Sequence, residues 1–389
     1  MKPMARTDLV IAVGALAAVA FTGVTARSVS GKTEHAPSRP ASLSRKLNDS
    51  RDDARAARLP GARSALLGRA PRTSVIRAQQ RQVSEEEAGG LEVIQLRPNF
   101  YMIAGAGGNI GVQVGPDGVV VVDAGSAAQA DAVVAAIRKR ADRPIRYVID
   151  TSADPDHVGG NAPLSKAGET LFNLNSAIAT AMTNGGAATI LSAENVLVRM
   201  SAPAGQPSTF PAAAWPTETF HQARRYMYIN GEGIEVLHQP AAHTDGDSVV
   251  FFRRSDVVVA GDVLDTTRFP TIDVARGGSI QGEIDALNRV VELAIPSIPF
   301  DWRDEGTLVI PGHGRLFDQL DVVEYRDMVV IIRDRVRAMV KQGKTLDQVK
   351  AASPTQGYNR RYGADSGPWT TNMFVEAVYE SLRTPASQR

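Results

Sequence analysis

Short apolar runs separated by polar, glycine-rich turns dominate the middle of the chain. Runs at 91–96, 100–103, 110–114 and 119–122 are typical of a β-meander, since each is bounded by turn residues. A helix is predicted over 127–140, with Ser126 as its cap, because Val133, Val134 and Ile137 recur at helical spacing. Strand and helix thus follow one another, which favours an α/β fold.

The same alternation continues toward the C-terminus. Apolar runs predict strands at 145–149, 226–229, 233–238, 249–252, 257–260 and 308–310, and a short helix at 162–167. Residues 176–219 are less regular and predict a helix or two and a loop, with Trp215 exposed. From 321 to 382 the apolar positions recur at helical spacing, so a C-terminal helical tail is predicted.

The front of the chain has a different composition. Residues 1–26 carry Lys2 and Arg6 before an apolar stretch and end in small residues, as a secretory signal peptide does. Residues 27–88 are rich in Arg, Ser, Ala and Pro, which predicts a disordered linker. The predicted organisation is therefore a signal peptide (1–26), a linker (27–88), a folded domain (89–320) and C-terminal helices packed on it (321–389).

Charge and cysteine content narrow the chemistry. The formal net charge of +1 over 389 residues gives no argument for binding nucleic acid. The absence of cysteine excludes disulfides and thiolate ligands, so a transition-metal site would have to use His, Asp and Glu. With six histidines in the chain, each position is informative.

The stretch 151–161, TSADPDHVGGN, follows the predicted strand 145–149. It therefore lies at a strand's carboxyl end, where α/β folds bind ligands. Asp156 and His157 are adjacent, Asp154 is a further carboxylate, and two glycines allow a tight turn. The alternative is a polar loop that caps the next helix through Asp156 or Asn161.

This stretch resembles the His-x-His-x-Asp-His signature of the metallo-β-lactamase superfamily, which is followed by two glycines. Asp156 and His157 match the last two positions, whereas Ser152 and Asp154 replace the first two histidines. The resemblance covers roughly 91–316 and implies an αββα sandwich of the metallo-β-lactamase type, here with a C-terminal helical tail.

Four further positions carry the resemblance. His243 (in AHTDGDS) corresponds to the third-motif ligand, Asp262 (in VVVAGDVLD) to the bridging carboxylate, and His313 (in PGHG) to the last ligand. Asp123, in VVVVDAGS, corresponds to a residue that steadies a metal ligand; the alternative is that it caps a turn. His221 and His238 match no family position and are interpreted as structural.

The replacement of the first two signature histidines by Ser152 and Asp154 predicts unequal metal sites. A tight zinc site is expected from two nitrogen and two oxygen ligands, namely Asp156, His157, Asp262 and His313. A second, weaker metal would use Asp154, His243 and Asp262, with Ser152 beside it contributing little. Related flavodiiron proteins carry a Glu at the position of Asp154, but also a flavin domain that this chain lacks. Zinc is therefore expected ahead of iron or manganese.

The activity implied is metal-dependent hydrolysis, in which metal-activated water attacks the carbonyl of an ester, thioester, lactam or amide. Asp156 or Asp154 could orient the water or pass a proton to the leaving group. Arg268 is a candidate for binding a substrate carboxylate, or else a surface arginine. The expected partner is a small molecule, with no nucleic acid.

Two other functions stay open from the sequence. A degenerate member with one structural metal could act as a binding protein, and a Ser-His-Asp hydrolase could use Ser152 although the Gly-x-Ser-x-Gly elbow is missing. We expect export to the periplasm or medium, with no stable membrane span after signal cleavage. The alternative is an inner-membrane protein anchored by an uncleaved N-terminal segment.

Overall fold

A computed structural model describes residues 84–87, 89–171, 186–202, 206–297 and 306–383. The predicted signal peptide, and the predicted linker up to residue 83, lie outside the described residues. The strand at 84–86 falls inside the segment predicted as linker and pairs with the next strand. Regular structure therefore begins before the predicted boundary at 89.

The first sheet contains eight strands in the order of the sequence. They are β1 (Ser84–Glu86), β2 (Glu92–Arg97), β3 (Phe100–Ala106), β4 (Gly108–Gly115), β5 (Gly118–Val122), β6 (Ile145–Ile149), β7 (Thr189–Ala193) and β8 (Glu218–Phe220). Strands β1 to β5 form an antiparallel meander, whereas β5 to β8 are parallel. The parallel half sends the loops after β5 and β6 to the same sheet edge.

The second sheet has the order β13-β12-β11-β10-β9. Its strands are β9 (Arg224–Ile229), β10 (Glu232–Gln239), β11 (Asp247–Phe252), β12 (Val257–Asp265) and β13 (Leu308–His313). All pairs are antiparallel except β12 with β13. Apolar residues of the two sheets share one buried cluster, in which the rings of Phe100 and Phe252 meet edge to face at 4.8 Å. The two sheets therefore pack face to face.

Helices cover the two outer faces. Helices α1 (Ala130–Arg138) and α3 (Asn161–Ala167) lie on the first sheet, and α5 (Ile280–Leu293), α6 (Gln319–Lys341) and α9 (Thr371–Arg383) lie on the second. Shorter helices are α2 (Pro155–Val158), α4 (Glu194–Met200), α7 (Leu346–Ala351) and α8 (Asn359–Tyr362). The result is an αββα sandwich with a C-terminal helical region, so the predicted fold class is confirmed.

The C-terminal helices continue the core of the domain. Phe374 of α9 is fully buried, and its ring stacks on that of Phe269 at 4.9 Å. Helix α6 begins with a capping box in which Asp318 and Asp321 bond each other's backbone N–H. Burial of this kind is worth several kcal/mol per large side chain; truncating a buried Phe costs about 3–5 kcal/mol.

Several local predictions need correction. Ser126 makes no side-chain cap bond, and 127–129 form a 3-10 turn before α1, which ends at Arg138. Trp215 is half-buried because it packs against a buried cluster that includes Val196 and Met200, and its indole N–H donates to Phe210 O at 2.9 Å. In the irregular region, residues 172–185 and 203–205 lie outside the described residues. The described part contains the helix α4 and also two strands, β7 and β8, that the sequence pattern did not predict.

Candidate metal centre

Five chain segments meet where the two sheets face each other. Asp123 follows β5, the 151–158 stretch follows β6, and His243 lies between β10 and β11. Asp262 and His313 were expected in loops just past their strands. They lie instead within β12 and at the end of β13, because a register shift at Gly261 (φ +55°) lets β12 continue to Asp265.

The first cluster brings together Asp156, His157 and His313, whose donor atoms lie within 4.8 Å of one another. His313 Nε2 is 3.1 Å from Asp156 Oδ2. Asp262 Oδ1 contacts both rings, at 3.0 Å from His157 Nε2 and 3.5 Å from His313 Nε2. His157 is fully buried, whereas the Asp156 side chain is 39% exposed and faces solvent.

The second cluster consists of Asp154, His243 and Asp262, also with donor atoms within 4.8 Å. His243 Nε2 is 2.7 Å from Asp154 Oδ2. Asp262 thus lies between the two clusters, at the place expected of a shared carboxylate. The structure brings all six proposed ligands into one centre, and their roles as ligands stay predictions.

His157 and His243 are each held in orientation by a hydrogen bond from the ring nitrogen Nδ1. His157 Nδ1 donates to Asp123 Oδ2 at 2.8 Å, which directs Nε2 toward Asp262. Asp123 is fixed in turn by Thr151, whose N–H and hydroxyl both bind its carboxylate. Asp123 has φ +65°, a left-handed conformation that Asp tolerates better than most residues. His243 Nδ1 donates to Thr271 O at 3.0 Å.

Ser152 is engaged within its own loop. It is fully buried, and its hydroxyl oxygen accepts a hydrogen bond from Asp154 N at 3.3 Å.

Gly108, the first residue of β4, lies directly against the His157 ring. A Cβ at this position would lie 3.0 Å from His157 Cε1. A side chain at position 108 would therefore crowd His157.

The loop-capping alternative is not what the structure shows. Asp154, rather than Asp156 or Asn161, holds the N-cap position of α2, yet its side chain makes no cap bond. Its carboxylate instead binds His243 and Arg276. Asn161 donates to Asp150 Oδ2 at 2.9 Å and to Ala214 O at 3.1 Å, so it ties together buried loop segments.

The rings of His157 and His313 are each paired with carboxylates. Burial disfavours the charged ring of His313, but hydrogen bonds to Asp156 and Asp262 outweigh burial and raise its pKa to about 9. Burial also opposes the charge on His157, yet the Asp262 and Asp123 carboxylates raise its pKa well above the usual value. Burial alone would raise the pKa of Asp262, but the charge of His157 and the hydrogen bonds from His157 and His313 outweigh burial. The pKa of Asp262 is therefore held well below its ordinary range.

Metal binding is therefore expected to displace protons. In the metal-free protein His313 is protonated at neutral pH, and a histidine must be neutral to bind a metal. The apparent zinc affinity should rise by at least tenfold, and up to about a hundredfold, per pH unit between pH 6 and 8, because both His313 and His157 must lose a proton, and the contribution of His313 should level off as pH passes its pKa of about 9. The zinc affinity is measured by competition with a chelator at each pH, and the number of protons released is determined from titrations in two buffers. A pH-independent affinity would contradict it.

Arg276 is the residue at this centre that the sequence analysis missed. Its Nη1 donates to Asp154 Oδ1 at 2.6 Å, and its Nε donates to Asp273 Oδ2 at 2.6 Å. The partner Asp154 is 122 positions away, so no local pattern marks the contact. The spacing of Asp273 and Arg276, three residues apart, gives a weak signal of a local ion pair.

The remaining candidates lie apart from the two clusters. Arg268 forms an ion pair with Asp265 at 2.8 Å, and its binding of a substrate stays a prediction. His221 is exposed, and His238 Nε2 donates to Asp245 O at 2.8 Å. Neither histidine belongs to a cluster of possible metal ligands among the described residues.

Comparison with known proteins agrees with this architecture. The sequence model of the metallo-beta-lactamase superfamily matches residues 104–313, more than half of the chain. The chain therefore belongs to the metallo-beta-lactamase superfamily, and the predicted family is confirmed.

Two of the similar proteins are alkylsulfatases. The linear primary-alkylsulfatase of Pseudomonas sp. (strain ATCC 19151) is 24% identical over 264 residues, which are 60% of this chain and 47% of that protein. The solved structure of the stereoselective inverting sec-alkylsulfatase from Pseudomonas sp. matches with a TM-score of 0.52 and 14% identity, over 74% of this chain and 49% of its own. The chain thus spans about half the length of these relatives.

Proposed function

We propose that this protein is a metal-dependent hydrolase of small molecules with one tightly held zinc ion. The main support is that separate segments of both sheets bring Asp156, His157 and His313 together with Asp262. Membership of the superfamily and the hydrolase names of its relatives support the class, and leave the substrate open.

The donor set fits zinc. Two imidazole nitrogens and two carboxylates match the ligand types and number of a zinc site. His157 already has its other ring nitrogen on a carboxylate, the arrangement typical of zinc-bound histidine. A zinc ion bound there would supply Lewis acidity, lowering the pKa of a coordinated water to about 7 and polarising the oxygen of the bond to be cleaved.

The residues of the chain divide the other tasks. Asp123 and Thr271 O hold the histidine rings in one tautomer and direction. Asp154 has both carboxylate oxygens engaged, by His243 and Arg276, and so is poorly placed to move a proton. Asp156 is also a proposed zinc ligand, but its carboxylate is more exposed than that of Asp154, so its oxygen not bound to the metal would be the better candidate to orient water or pass a proton to the leaving group.

The proposed substrates are esters, thioesters, lactams and amides, joined by alkyl sulfate esters because of the curated relative. The test is a hydrolysis screen of zinc-loaded full-length protein against one chromogenic member of each class. Metal-stripped protein and His313→Ala serve as controls. We expect turnover of at least one class that needs zinc and is lost in the variant. Stoichiometric zinc without turnover of any class would overturn the proposal and favour a binding protein.

We also propose that the protein is exported, to the periplasm or medium, after cleavage near Ala26. The support is the charged start and apolar run of residues 1–26. Within the described ranges, no helix is long and apolar enough to cross a bilayer. Mass spectrometry of envelope fractions from the native host should find a mature chain beginning near Arg27, and an intact Met1 would contradict cleavage.

A further inference from the structure

We propose that Arg276 serves as a built-in cation in place of a second metal ion, so that this centre holds one metal per chain. The inference rests on the proposed function, because it assumes the zinc site of the first cluster. It goes further by assigning a role to an arginine that binds the second cluster from the side.

Both oxygens of Asp154 are already in use. Oδ2 lies 2.7 Å from His243 Nε2, and Oδ1 accepts from Arg276 Nη1 at 2.6 Å. A divalent ion in the second cluster could replace the proton between His243 and Oδ2, as proposed for the first cluster, but Oδ1 would still carry the guanidinium, so Asp154 would be a weakened ligand. The remaining good ligands would be His243 and the shared Asp262, because the ligands that zinc prefers are Cys, His, Asp and Glu rather than a serine hydroxyl, and the hydroxyl oxygen of Ser152 already accepts from Asp154 N.

Arg276 is fixed in position rather than swinging on a free side chain. Asp273 accepts from both its Nε, at 2.6 Å, and its backbone N–H, at 2.9 Å. Its carbonyl accepts from Arg199 Nη2 at 2.8 Å and from Asp245 N at 2.9 Å. The loop that holds the guanidinium is therefore anchored on several sides.

The same loop also holds His243. Thr271 O accepts from His243 Nδ1, and Asp273 N donates to His243 O at 2.9 Å. The guanidinium, the imidazole and the Asp154 carboxylate thus form one preassembled unit. Through Asp154, Arg276 keeps His243 in place, which a metal ion would otherwise do.

The positive charge of Arg276 allows it to take the place of a metal ion. A guanidinium cannot lose its proton in a protein, so it stays positive whatever approaches. Hydrogen-bonded to Asp154, it neutralises this carboxylate and lies close to any divalent ion held there. Repulsion between like charges at such short range, in a partly buried site, is strong. The second metal equivalent should therefore bind far more weakly than the first.

The test is a zinc titration of metal-stripped full-length protein, with bound metal per chain measured by elemental analysis. Arg276→Gln retains a donor toward Asp154 without the charge, whereas Arg276→Lys retains the charge. We expect one equivalent in the unmodified protein and in Arg276→Lys. In Arg276→Gln the second equivalent should bind at least about tenfold more tightly than in the unmodified protein.

The controls separate the two proposals. Arg289→Gln removes an exposed arginine paired with Glu292 on α5, far from the ligand residues in sequence, and should change neither step. Thermal unfolding and circular dichroism check that each variant folds. An unchanged second step in Arg276→Gln, or two tight equivalents in the unmodified protein, would overturn the role of Arg276. Absence of any tight equivalent in the unmodified protein would instead count against the proposed zinc hydrolase.

Discussion

Asp262→Ala should lose metal and hydrolytic activity together. Asp262 Oδ1 contacts both histidines of the first cluster, and the residue also belongs to the second cluster. Its removal would leave three ligands in the tight site and two in the weak one. We expect zinc affinity to fall by more than about a hundredfold, beyond the 10–100-fold typical of losing an outer hydrogen-bond partner.

The measurement is bound zinc per chain after dialysis against a weak chelator, alongside turnover of the best substrate from the screen. For zinc content, Asp265→Ala is the matched control, because Asp265 lies on the same strand and its side chain forms an ion pair with Arg268 rather than with a proposed ligand. Full zinc occupancy in Asp262→Ala would show that the ligand set is wrong. Loss of zinc in both variants would point to damage of β12 instead.

Much of the centre could be predicted because its parts are local in sequence. An apolar run followed by a polar stretch gives a strand end, and the loop at 151–158 and the residue Asp123 were placed that way. The resemblance then supplied the order of His243, Asp262 and His313. Each of these residues was located by its own neighbours along the chain.

What could not be predicted depends on contacts between distant segments. Strands β7 and β8 are short and pair in parallel with strands far away in sequence, so no turn signal or alternation marks them. Asp262 was expected just beyond its strand, but the parallel partner β13 keeps β12 going through the bulge at Gly261. Pairing between strands, rather than local composition, sets that boundary.

Arg276 illustrates the same limit at the level of chemistry. Asp154 could be recognised as a substitute for histidine from its position in the signature stretch. Its second partner could not, because the contact joins residues in loops on different sheets. Sequence reasoning therefore predicted a weak second metal site from the quality of its ligands alone. The structure adds an opposing charge to that prediction.

Rebuilding the family's histidines should produce a second tight metal site. In Ser152→His with Asp154→His, two imidazoles would join His243 and Asp262, which gives three nitrogen ligands and one oxygen, a good zinc set. Asp154→His also removes the acceptor of Arg276 Nη1 and leaves the guanidinium next to the new site. We therefore expect the full gain only when Arg276→Gln is added, with the second equivalent approaching the affinity of the first.

A titration of the double and triple variants beside the unmodified protein separates the two contributions. A strong second step in the triple variant and an intermediate one in the double variant would mean that ligand quality and charge both matter. Equal second steps in the two variants would mean that the ligands alone decide the stoichiometry. Asp154→Asn is the matched control: it removes the carboxylate without adding an imidazole, so its second step should be weak or absent. If the triple variant folds and binds the first equivalent but no second, the assignment of Ser152 and Asp154 to the positions of the missing histidines is wrong.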